Sequence, residues 1–287
     1  MTRKNQLDVV VRFHDAKRLP ELERCIFSLV GQNYRPLHII LVAQRFSETD
    51  LAEVRARLAP LLACEDAPTL EVLNWEHPEP VDARSALINL GIRAGRGRYL
   101  AFLDYDDVLY PEAYDLLVSQ LQAGEAGIAF GRVRLVQLEV HSTFFRPKAT
   151  LPYFEGSTLS DLFRGNFCPI HSYVIDRTRI PEQFLFFEPN LLLEEDYDFI
   201  LRICAQFPSD FALVGTEIGE YYFKTDGSNT HTAGGRPPSW QAQYERAAAF
   251  VEQRRRSTPI AAPVQRALGI APPNPDLSIR DFLDRAA

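Results

Sequence analysis

Through its first hundred residues the chain alternates short apolar runs with longer stretches in which apolar positions recur every three or four residues. Leu7 to Arg12, Leu37 to Val42, Leu70 to Asn74 and Tyr99 to Leu103 are short apolar runs bounded by polar or turn-forming residues, which predicts four strands. Between the first two, Pro20 to Leu29 places Leu22, Cys25, Ile26 and Leu29 on one face and opens with a proline and two acids, as a helix start prefers. Asp50 to Leu62 and Ser85 to Ala94 fill the next gaps as helices, the second stopping at Gly95, and a fourth helix opens at Pro111 and Glu112 and runs to about Gln122. Strands and helices in strict alternation imply βα units on a mostly parallel central sheet flanked by helices, an α/β fold.

Beyond Gly127 the pattern changes. Ile128 to Val140, Ser172 to Ile175, Phe211 to Val214 and Gly219 to Lys224 read as strands, with a short helix at Leu159 to Phe163 and a stronger one at Glu195 to Gln206. Ser239 to Arg256 has the pattern of an amphipathic helix, and Pro259, Pro263, Pro272, Pro273 and Pro275 punctuate a tail expected to lie over the surface. The expected organisation is a domain over residues 1–235, with one half at 1–125 and a second at 126–235. A C-terminal helix and Pro-rich tail occupy 236–287.

Composition narrows the classes. With 287 residues, 46% of them hydrophobic, the chain can bury a sizeable core, and 31 Lys and Arg against 38 Asp and Glu give a net charge of -7. That sign argues against a nucleic-acid partner gripped through its phosphates. No apolar run reaches the ~20 residues of a membrane span, and Met1 to Leu7 has no signal-like core, so the protein is expected in the cytoplasm. Cys25, Cys64, Cys168 and Cys204 lack the paired spacing of a metal or redox site and read as core filling.

The segment Tyr99 to Tyr110, YLAFLDYDDVLY, puts Asp104 at the carboxyl end of a strand and Asp106 and Asp107 in the turn that follows. Ligands of open α/β sheets bind at that edge. Like charges about 4 Å apart repel by roughly 4 kcal/mol at an effective dielectric of 20, so three crowded carboxylates invite a cation. Magnesium-type ions need only one or two protein carboxylates when substrate phosphates complete the shell. The bland alternative is an Asp-rich helix-capping turn.

The stretch Asn89 to Tyr114, NLGIRAGRGRYLAFLDYDDVLYPEAY, resembles the GT-A glycosyltransferases, particularly their family 2, across the Asn and Gly, the helix end, the strand, the Asp-x-Asp motif and the following Pro. The resemblance implies the GT-A fold and a nucleotide diphosphate sugar donor bridged to Asp106 through Mn2+ or Mg2+, with Asp104 or Asp107 assisting. The later run LLLEEDYDFILRI, Leu191 to Ile203, is similar to the family's Glu-Asp motif. It implies that Asp196 is the general base of a single inverting displacement, with Glu195 orienting a glycan or glycolipid acceptor. By composition alone these acids also suit a helix first turn, and Asp198 with Arg202 suits a plain i,i+4 pair.

Further residues enter through the same resemblance. Phe13 and Asp15 are candidates for base and ribose, although the strand ends Arg12-Phe13-His14-Asp15 where the family has Pro, an aromatic and Asn. Ala43 and Gln44 replace a common pair of acids, leaving Gln44 to read the base edge. Arg84 and Asn89 are candidates near the diphosphate, and His231, within the turn-rich YFKTDGSNTH, for the metal or diphosphate. His171 and Ser172 are candidate acceptor-wall residues. Arg254, Arg255 and Arg256 read as solvated cations at a helix end, and also as a candidate contact with an anionic membrane surface.

Two rival readings remain at this level. DYDDV also resembles the motif of haloacid dehalogenase-like phosphatases, with Asp104 as nucleophile, although three βα units precede it here. The departures at Ala43 and Gln44 also suit a relative that binds nucleotide sugars without turnover.

Overall fold

The computed structural model describes residues 3–141, 144–225 and 238–285. Its first half follows the βα alternation: β1 (Arg3–Phe13), α1 (Leu19–Val30), β2 (Leu37–Gln44), α2 (Glu48–Leu58), β3 (Thr69–Trp75), α3 (Arg84–Ala94) and β4 (Gly97–Asp104). A two-residue strand β5 (Val108–Leu109) and α4 (Ala113–Ala123) lead into β6 (Ile128–Val140), β7 (Phe145–Leu151), α5 (Leu159–Arg164), β8 (Tyr173–Asp176), α6 (Glu195–Gln206) and β9 (Ser209–Lys224). Three helices close the chain, α7 (Pro238–Ser257), α8 (Ala262–Ala267) and α9 (Ile279–Arg285).

The strands form one sheet in the order β3-β2-β1-β4-β8-β6-β9-β5, with β7 beside β6. β1 to β4 are all parallel, as βα connections require. β8 then runs antiparallel to both β4 and β6, while β9 returns parallel to β6. The sheet is therefore parallel in its first half and mixed in its second.

Period-2 alternation explains the two cores. Val9, Val11 and Phe13 of β1, Ile39 and Leu41 of β2, and Tyr99, Ala101 and Leu103 of β4 point to the face covered by α1, α2 and α4. Val10, Ile40, Val42, Leu100 and Phe102 point to the other face, against α3 and α6. Gly91 permits the close approach of α3 to β1, since a Cβ there would stand 2.4 Å from Val10 Cγ1.

The C-terminal segment differs from a surface-lying tail. Val251, Ile260, Val264, Leu277, Ile279 and Phe282 are buried in the same cluster as α3 and α6. The prolines break the segment into short helices, yet its apolar residues recur at helical spacing and dock. The basic run ending α7 also differs from a solvated patch. Arg254 lies 2.5 Å from the fully buried Asp198 of α6, which Arg202 also meets at 3.0 Å. Arg255 donates to the Phe163 and Arg164 carbonyls and to Tyr197 Oη. A buried carboxylate needs paired cations, so α7 supplies one to α6. Arg256 stays exposed beside Glu252.

Cys25, Cys168 and Cys204 are buried, Cys64 is exposed, and all four are free thiols. Among the described residues no helix is long and apolar enough to cross a membrane.

Candidate active site

The carboxyl ends of β1 and β4 are neighbours in a parallel ladder, and the register sets Arg12 directly beside Asp104. Both continue the even-numbered face on which α6 packs, so they meet the first turn of that helix. Arg12 answers both sides. Its Nε and Nη2 donate to Asp104 at 2.5 and 2.9 Å, and its Nη1 donates to Glu195 Oε1 at 2.9 Å. Arg84, opening α3, is held by Asp82 at 2.7 Å and stands 3.9 Å from Glu195. The two acidic segments, 92 and 183 residues from Arg12, are thus joined through one guanidinium.

Two adjoining cavities, about 330 and 350 Å³, share Arg12, Arg84, Asp104 and Tyr221 as walls. The first also takes in His14, Gln44, Asp82, Tyr105, Asp106 and Asp107. The second takes in Glu194, Glu195, Asp196, Asn166, Phe154 and Phe223. Asp106 and Asp196 therefore line adjacent parts of one cleft.

The electrostatics differ from carboxylate to carboxylate. Burial alone would raise the Asp104 carboxyl, but the charge and hydrogen bonds of Arg12 outweigh it and hold the group below the usual range. Asp107 is buried; its Oδ1 accepts from Tyr222 N at 2.8 Å, and burial followed by the charges of Asp106 and Asp104 pushes its carboxyl well above the usual value. His171 Nδ1 approaches Asp107 at 3.5 Å, yet burial lowers the imidazole to about 4, so at neutral pH the contact is not an ion pair. Lys224, closing β9, reaches Asp106 at 2.6 Å. Burial, then Glu195 and Glu194, pushes Asp196 up to about 8, although its Oδ1 accepts from Tyr197 N at 2.7 Å. Glu194 precedes the helix with a φ of 60°, a left-handed conformation that a non-glycine residue adopts at a cost of about 1–3 kcal/mol.

A divalent ion fits this donor set when phosphate oxygens share its shell. Asp106 faces the cavity with its carboxylate partly exposed, and one or two carboxylates suffice for Mg2+ or Mn2+. Burial first, and then the charges of Asp106 and Asp104, disfavour the ionised form of Asp107, and a cation at this turn would relieve the second of these. Among the described residues there is no ready group of three or more His, Cys, Asp and Glu ligands. His231 lies outside the described residues.

Several expected contacts are placed elsewhere. Phe13 is fully buried edge-on between Phe46 and Tyr105, with no surface to offer a base; its neighbour His14 lines the cavity instead. The alternation of β1 turns position 13 inward. Asp15 accepts from Lys17 N at 3.0 Å and caps a short helical turn. Asn89 is used on both sides by the Phe187 backbone, donating to its carbonyl at 2.8 Å and accepting from its N–H at 2.7 Å. Gln44 lines the cavity, but its amide donates to Val81 O and accepts from Ala83 N, so it braces the loop before α3. His171 and Ser172 are buried under the cavity wall, where His171 stacks on Tyr221.

Arg12, Lys224 and Tyr221 carry the geometry without having been singled out by the sequence motifs. A charged residue ending the apolar run Val9 to Val11 was the available signal for Arg12; Lys224 and Tyr221 had none. Both oxygens of Asp104 accept from Arg12.

The model of the family described as "Glycosyl transferase family 2" matches residues 8–173, more than half of the chain. Among named relatives, the uncharacterized glycosyltransferase YibD of Escherichia coli (strain K12) is 26% identical over 129 residues, 45% of this chain and 34% of that protein. The succinoglycan biosynthesis protein ExoO of Rhizobium meliloti (strain 1021) is 30% identical over 153 residues, 49% of this chain and 42% of that protein. The matches thus span less than half the length of these relatives. Among solved structures, S. aureus TarS 1-349 in complex with UDP-GlcNAc superposes with a TM-score of 0.58 at 12% identity, covering 93% of this chain and 76% of that one. The mannosyltransferase PcManGT of Pyrobaculum calidifontis in complex with GDP-Man and Mn2+ gives 0.54 at 14% identity, covering 99% and 80%. With the family match spanning the parallel half of the sheet and the Asp104–Asp107 turn, and with these structures sharing its architecture, the chain belongs to glycosyl transferase family 2 and has the GT-A fold.

Proposed function

We propose that the protein transfers a sugar from a nucleotide diphosphate donor to an acceptor hydroxyl, with inversion and with the help of Mn2+ or Mg2+. The observation that carries this reading is the Arg12 bridge, which brings the Asp106 turn and the Asp196 helix start to one cleft. The donor occupies the cavity of Asp106, Arg84 and His14, and the acceptor that of Asp196.

Asp106 would hold the ion together with the diphosphate, and when bound the ion neutralises charge building on the leaving phosphate. Arg84 faces the same charge. Asp196 takes the proton of the acceptor hydroxyl as its oxygen bonds the anomeric carbon and the carbon–oxygen bond to the diphosphate breaks. Glu195, fixed by Arg12, orients the acceptor. Asp107 supports the turn from below. The structures bearing UDP-GlcNAc and GDP-Man with Mn2+ support a nucleotide-sugar donor by likeness of fold.

A thermal-shift series with UDP and GDP, each with and without Mn2+, tests the donor half. One nucleotide is expected to raise the melting temperature only with the ion, and Asp106→Asn is expected to lose the increment. Equal shifts with and without Mn2+ would remove the metal from the proposal. NMR of the first-formed product distinguishes inversion from retention, and donor binding without consumption would mark a binding-only relative.

A further inference from the structure

We propose that the acceptor is the uncharged pyranose end of a glycan, seated with the apolar face of its ring against Phe154, Tyr221 and Phe223. This rests on the functional reading above and adds the substrate class. The cavity beside Asp196, about 350 Å³, is at the small end of ligand pockets and suits one or two sugar rings. Three aromatic rings in contact form part of its wall: Phe154 and Tyr221 have centroids 6.2 Å apart, Tyr221 and Phe223 5.0 Å. Phe154 is 37% exposed, so part of its ring is open to a ligand.

A pyranose has a face of C–H groups and a rim of hydroxyls. The aromatic wall matches the face. Across the cavity Glu194, Glu195, Asp196 and Asn166 offer mainly hydrogen-bond acceptors, which match hydroxyl donors.

Charge then discriminates among sugars. Three successive acids line one side, and among the described residues the two cations lining the cavity are paired, Arg12 with Asp104 and Glu195 and Arg84 with Asp82. A uronate or a phosphorylated sugar would bring a further negative charge into a cavity where burial and neighbouring acids already disfavour the charged forms of Glu194 and Asp196, a repulsive element of the kind that sets specificity.

The test uses the full chain with UDP-glucose, UDP-GlcNAc and GDP-mannose as donors. Donor binding is measured by calorimetry with Mn2+. Transfer is then measured onto 4-nitrophenyl glucoside, galactoside, mannoside and N-acetylglucosaminide, and onto 4-nitrophenyl glucuronide, glucose 6-phosphate, a Ser/Thr peptide and octanol. A neutral glycoside is expected to be the best acceptor, with kcat/KM for the glucuronide and the phosphate at least tenfold lower. Phe154→Ala is expected to raise the KM for that glycoside about five- to tenfold with the donor Kd unchanged, and Phe154→Trp to restore it. Preference for an anionic sugar, the peptide or the alcohol overturns the inference, as does an unmoved acceptor KM in Phe154→Ala. Absence of donor binding strikes the functional reading itself, whereas a donor that binds and is slowly hydrolysed without transfer to any neutral glycoside strikes only the acceptor assignment.

Discussion

Asp196 occupies a position where burial and two neighbouring acids work against its ionisation. A group held at about 8 is mostly protonated at neutral pH, and only its ionised form could serve as the proposed base. For the free enzyme, log kcat/KM is therefore expected to rise with pH and level off near 8, and Asp196→Asn is expected to lower kcat by about 10²- to 10⁴-fold. The same shift has a stability consequence of definite sign. Because the folded value is raised, the native state binds the proton more tightly than the unfolded chain does, and stability is lost as pH climbs from the ordinary carboxylate range through about 8. Denaturant titrations over that window should show the wild type losing ground to Asp196→Asn; parallel curves would contradict the assignment. The acids themselves were legible, because they fall in strings matched to strand ends and helix starts. Phe13, Gln44 and Asn89 were not: a residue type says what a side chain can do, whereas alternation in β1 and the backbone of Val81 to Ala83 and of Phe187 had already claimed them.

The elements of the first half follow from hydrophobic period alone, and α6 lies at Glu195–Gln206 as its pattern indicated. The second half was less readable. β9 is one strand from Ser209 to Lys224 where the sequence suggested two, because Val214 to Thr216 form an irregularity in the ladder between Leu213 and Glu217, which both pair with β6. β7 was missed; Phe145 to Leu151 is largely exposed and pairs only with β6, so it carries almost no buried pattern. The α3–β1 contact offers a sharp test of element packing. Gly91→Ala would drive a methyl group to 2.4 Å from Val10 Cγ1, an overpacking expected to cost about 1–3 kcal/mol in urea unfolding. The double variant with Val10→Ala should recover part of that loss, since the clash is with that side chain; additive losses would place the strain elsewhere.

At the scale of the molecule, β1 to β4 and α6 bring the two acidic segments to the carboxyl edge of one sheet, while α7 braces α6 from behind through Asp198 and Arg254. The edge was foreseeable from the βα order; the bracing was not, because it depends on a cation pairing with an acid 56 residues away. Arg12 sits at the meeting point, and under the proposed donor and acceptor assignment what it does there bears on traffic between the two substrates. A guanidinium shared by Asp104 and Glu195 cannot be drawn toward an incoming nucleotide without loosening its hold on the sugar-accepting side. Occupancy of one chamber should then tune affinity in the other, by a factor that thermodynamics makes identical in both directions. Titrating each ligand with and without the other would measure that factor, and Arg12→Met should bring it to one, leaving two chambers that no longer sense each other.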